Sequence, residues 1–106
     1  MKLITKEIEK AARKQYSQGS DLNVQKIVAK FFAPNGWKWY LMNQDPDHHD
    51  YLWGIVKGFE IEMGSFSLSE LELAIFPFGM KIERDISFKP LSAQEVWERL
   101  NKGEFV

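Results

Sequence analysis

The chain has 106 residues, 44% hydrophobic and 14% aromatic, enough to fill one core and too few for a second folded domain, so residues 1–106 are expected to form a single domain. Fourteen basic and fifteen acidic groups give a formal net charge of -1, and no global field draws in nucleic acid or anionic lipid. The lack of cysteine excludes disulfide frameworks, thiolate metal sites, a cysteine nucleophile and thiol-linked lipid. Lys2 and Lys6 interrupt the start before an apolar stretch develops, and no long apolar run follows, so the expected location is the cytoplasm.

In chain order, Ile8, Ala11, Ala12 and Tyr16 fall at helical spacing behind Thr5, an N-cap residue, with Glu7 and Glu9 in the first turn where the helix dipole favours acids. Ser17-Gln18-Gly19-Ser20-Asp21 stops that helix. Val24 to Phe32 alternates as a strand. Ala33-Pro34-Asn35-Gly36 then turns the chain, and Trp37 to Met42 should return antiparallel. Asp45 to Asp50 is too polar and proline-broken to continue a strand. Tyr51 to Lys57 and Phe59 to Met63 read as a second hairpin about Gly58.

Ser67 with Glu70 forms a capping box, stapled by Phe66 and Leu71, which predicts a helix from Ser67 to about Ile75, ended by Pro77 and Gly79. Lys81 to Phe88 alternates as a fifth strand closed by Pro90. Ser92 and Glu95 repeat the box with Leu91 and Val96 as staple, and Trp97 and Leu100 extend the apolar face towards Gly103. The expected architecture is α+β: an antiparallel twisted sheet of four or five strands with three helices packed mainly on one face, in two layers.

Three residue groups could carry chemistry. Asp45, Asp47, His48, His49 and Asp50 can bind a divalent metal or move protons, but adjacent histidines on extended backbone diverge and no established ligand spacing is present, so a solvated turn without metal is expected. Glu60 with Glu62, and Glu83 with Asp85, occupy alternate strand positions. On neighbouring strands they could form a metal-assisted hydrolytic site; at a surface, Lys81 and Arg84 would simply neutralise the second pair.

The third group, Lys30 to Tyr40, interleaves bases with aromatics. If Trp37 and Trp39 enter the core, alternation turns Lys38 and Tyr40 outward, and Lys30, Lys38 and Tyr40 become the candidate binding patch. Its expected partner is another protein, in preference to single-stranded nucleic acid. The charge is only -1, with eight bases and six acids in residues 1–53 against six and nine in 54–106. No phosphate-binding loop, nucleophile elbow or dinucleotide fingerprint occurs, so no cofactor is expected, and the chain should act as a monomer.

Lys2-Leu3-Ile4-Thr5-Lys6, Lys30 to Gly36 with Trp37-Lys38-Trp39-Tyr40, Gly54-Ile55-Val56 with Gly58, Glu62 to Leu71, and Ile82-Glu83-Arg84-Asp85 before Phe88 and Pro90 together resemble the bacterial domain-of-unknown-function family number 2958. The resemblance spans nearly the whole chain. It implies a small bacterial protein of the kind often encoded on plasmids and integrating elements, and it brings no activity, cofactor or catalytic residue with it.

Overall fold

The computed structural model describes residues 2–106. Helix α1 (Lys6–Lys14) starts where Thr5 Oγ1 accepts the Ile8 N–H at 3.1 Å, and Glu7 and Glu9 occupy its first turn. Next come β1 (Lys26–Ile27), β2 (Ala29–Phe32), β3 (Lys38–Gln44), β4 (Tyr51–Lys57) and β5 (Ile61–Ser67). They are followed by α2 (Leu68–Leu73), β6 (Ile75–Phe76), β7 (Met80–Lys81), β8 (Glu83–Arg84), β9 (Leu91–Ser92) and α3 (Ala93–Asn101).

The main sheet is five-stranded and antiparallel throughout, in the order β5-β4-β3-β2-β8; β1 pairs with β9, and β6 with β7. The predicted turn joins β2 to β3: Ala33 N–H bonds the Trp37 carbonyl at 2.9 Å, and Gly36 takes the left-handed φ of 91° that the turn requires.

The α+β class and the antiparallel sheet follow the sequence expectation, but the layering differs. One face carries Ala29, Phe31, Leu41 and Leu52 against Ile8 and Ala12 of α1 and Leu71 of α2. The other carries Tyr40, Met42 and Ile55 against Ala93, Val96 and Leu100 of α3. Both faces are therefore covered, with α3 opposite the other two helices. Val96 and Leu100, almost fully buried, each contribute about 1.5–3 kcal/mol, more than the roughly 1 kcal/mol of a helix cap, so burial rather than Ser92 seats α3.

Smaller differences have local causes. The predicted fifth strand shortens to Glu83–Arg84 because Asp85 turns the chain, its carboxylate accepting the Ser87 N–H at 2.9 Å and its carbonyl the Phe88 N–H at 3.2 Å. The second helix ends at Leu73, and Ile75–Phe76 leaves it to pair with Met80–Lys81.

Each cap serine accepts the N–H three residues on, Ser67 from Glu70 at 3.2 Å and Ser92 from Glu95 at 3.3 Å, but the return carboxylates of the boxes are engaged elsewhere or replaced. Glu95 binds Arg99 at 3.4 Å. At α2 the carboxylate is supplied by Asp50, which accepts from Ser67 Oγ at 2.7 Å and from the Ser69 N–H at 2.6 Å. Those bonds hold the Asp50 carboxyl below its ordinary titration range.

A bulge at Met42 shifts the β3–β4 register between Leu41 and Asn43. Beside it, Gly54 faces the Tyr40 backbone so closely that an added Cβ would strike the Tyr40 carbonyl oxygen.

Candidate functional site

Lys30 and Tyr40 are direct partners across the β2–β3 ladder, and Lys38 and Lys57 across β3–β4. All four side chains belong to the sheet face that α3 covers. The outward placement expected for Tyr40 is thus incorrect: it is 0% exposed, and Lys30 only 3%. The argument from alternation assumed one wet face, and α3 removes it. Trp37 and Trp39 are half-buried on the opposite face, with Trp37 against Gly58 and edge-on to Phe59 at 5.4 Å.

The three residues nevertheless converge, on the chain's own last segment. Lys30 Nζ donates to the backbone oxygen of Val106 at 2.6 Å, and the Tyr40 hydroxyl donates to the same oxygen at 3.1 Å. Lys30 Nζ stands 4.5 Å from the Phe105 ring centre and Lys38 Nζ 4.4 Å, placing two cations on one aromatic ring. Arg99 Nε donates to Glu104 at 3.1 Å. Burial lowers the Lys30 pKa, opposed by Asp85 at 3.7 Å. Lys38 is lowered by burial and then by the Lys30 and Lys57 charges. Tyr40 is pushed up to about 12, chiefly by burial.

Sequence reasoning named Lys30, Lys38 and Tyr40 but missed Phe105 and Val106. Their only sequence signal was an apolar pair just beyond the helix-ending Gly103.

The carboxylates do not come together. Glu62 lies on β5 and Glu83 on β8, the two edges of the sheet, four strand spacings or about 19 Å apart. Glu60 lies in the turn before β5. Asp85 is paired with Lys30, and Arg84, expected to neutralise its acidic neighbours, instead donates to the Lys2 and Leu3 carbonyls at 2.9 and 3.0 Å.

The 45–50 segment is the solvated turn expected. Asp45 accepts from the Asp47 N–H at 2.8 Å and the Tyr16 hydroxyl at 3.2 Å, and its Oδ2 lies 3.4 Å from His48 Nδ1. Among the described residues, no three His, Asp or Glu side chains form a metal-binding group.

A feature that the sequence did not announce is the apolar β6–β7 hairpin. Leu73, Ile75, Phe78 and Met80 are 76%, 72%, 100% and 50% exposed. At its tip Phe78 has φ 65° and ψ 22°, and among the described residues it is the only non-glycine with positive φ. Left-handed backbone costs an L-residue roughly 1–2 kcal/mol, and Phe78 recovers none of it through burial. Pro77-Phe78-Gly79 between apolar residues was the available signal, read from sequence only as a helix stop.

No curated protein and no solved structure matches the chain. The family described as Protein of unknown function (DUF2958) does match, over residues 3–104, and the chain belongs to that family.

Proposed function

We propose that this protein is a binding module that recognises another protein through the apolar hairpin at residues 73–80, acting in the cytoplasm as an accessory factor, in keeping with the mobile-element setting that its family resemblance implies. The observation that carries this reading is the exposure of Leu73 at the end of α2 and of Ile75, Phe78 and Met80 in the hairpin, with Phe78 strained and fully exposed at the tip. Isolated exposed apolar residues are ordinary, whereas four within the eight residues 73–80 concentrate apolar surface in one segment, and an aromatic anchor commonly dominates protein interfaces. Lys30 and Tyr40 lie buried beneath residues 105–106 and are not part of this hairpin surface.

The test is affinity capture from a bacterial host with the unaltered chain and with Ile75→Ser/Phe78→Asn. The expected result is a defined protein partner retained by the first and lost by the second. Equal retention by both chains, or capture of nucleic acid alone that is released by salt, would overturn the reading.

A further inference from the structure

We propose that Lys30, Lys38, Tyr40 and Arg99 form a peptide-binding site, distinct from the hairpin, for an acidic–aromatic–aliphatic segment, and that Glu104–Val106 is its occupant in cis. Each residue of the occupant is contacted by at least two of these groups or by one of them through its side chain. Arg99 Nε takes the Glu104 carboxylate at 3.1 Å, and its Nη2 donates to the Phe105 carbonyl at 3.5 Å. Lys30 and Lys38 flank the Phe105 ring at 4.5 and 4.4 Å. Lys30 and Tyr40 donate together to the Val106 oxygen.

The backbone that carries two of these donors is fixed independently of the occupant. Lys30 and Tyr40 are locked opposite each other by the β2–β3 ladder, and Asp85 anchors beside them through its N–H to the Lys30 carbonyl at 2.9 Å. Lifting the occupant takes away the one oxygen that the Tyr40 hydroxyl and Lys30 Nζ share, leaves Lys30 with Asp85 at 3.7 Å, and opens both donors to an incoming carbonyl or carboxylate oxygen. Lys38 and Lys57 oppose each other across β3 and β4, and their repulsion favours the electron-rich face of an aromatic ring over an aliphatic side chain.

Phe105 remains 76% exposed and is held by polar and cation–π contacts, whereas Val106 packs its side chain against the second core cluster. Such a segment can be exchanged for one of the same chemistry supplied in trans. The cis copy competes at an effective concentration of roughly millimolar, so trans binding emerges when the cis copy is weakened.

The experiment uses the 106-residue chain and the synthetic peptide amide Gly-Glu-Phe-Val, with binding followed by calorimetry and backbone amide shifts. Phe105→Ala should bind the peptide at least about tenfold more tightly than the unaltered chain. Adding Tyr40→Phe to that variant should weaken binding roughly two- to tenfold, the effect of one hydrogen bond. Gly-Glu-Ala-Val amide should bind at least tenfold more weakly than the phenylalanine peptide.

In the unaltered chain, excess peptide should shift the Phe105 and Val106 amides, a measurement that does not depend on any variant folding. A folded Phe105→Ala chain that ignores the peptide at several millimolar, equal binding of the alanine peptide, or unmoved Phe105 and Val106 amides would each show a structural tether and overturn the proposal.

Discussion

Phe78→Asn should make the protein more stable, although it removes a large side chain. The φ of 65° and ψ of 22° at Phe78 lie in the left-handed region, where an L-residue pays about 1–2 kcal/mol and asparagine pays least among non-glycine residues. Phe78 is 100% exposed, so its removal forfeits no burial to set against that relief. The Ile75–Lys81 and Phe76–Met80 pairs of the hairpin do not involve its side chain. Relief of about half the strain gives roughly 0.5–1 kcal/mol, or a rise in Tm of about 2–8 °C for a domain of this size.

Urea denaturation should show a higher midpoint at an unchanged slope, because the surface exposed on unfolding barely changes. A midpoint lowered by the equivalent of about 1 kcal/mol or more would refute the reasoning, since it would mean that Phe78 packs against the fold. Stability gained while partner capture is lost is the combination expected where strain is kept for recognition.

Three further expectations can be checked separately. Gly54→Ala should cost at least about 3 kcal/mol or prevent folding, read by circular dichroism, because its Cβ meets the Tyr40 carbonyl in a central strand that cannot move aside. Asp50→Asn should destabilise at neutral pH. The folded-state pKa of Asp50 lies below its ordinary 3.8, so its contribution is present above that value and is lost as pH falls through the folded pKa, and the two stability curves should converge in acid. Tyr40, raised from 10.0 to about 12, should appear as a late phenolate absorbance step missing from Tyr40→Phe. Its raised pKa means that the stability it contributes is present below pH 10 and lost as pH climbs towards 12, which denaturation midpoints across that range will show.

The amino-acid sequence by itself determined what depends on neighbours along the chain. The Thr5 cap, the serine caps at Ser67 and Ser92, the Ala33–Gly36 turn and the strand Tyr51–Lys57 all appear as read, whereas Val24–Phe32, read as one alternating strand, divides into Lys26–Ile27 and Ala29–Phe32 in two different sheets.

Only the tertiary structure decided which faces were dry. Tyr40 is buried because α3, beginning some fifty residues later, covers its side of the sheet, and Lys30 beside it is closed in by residues 105–106 and Asp85; local alternation carries no information about covers so far along the chain. The same limit separated Glu62 from Glu83, since sequence order does not give strand order. It also hid the carboxylate of Asp50 at Ser67 and the Val106 oxygen between Lys30 and Tyr40. Lys30, Lys38 and Tyr40 were legible as a group because strand pairing about a short turn fixes their proximity. What they hold was not, because Val106 lies 76 residues from Lys30 and 66 from Tyr40 along the chain.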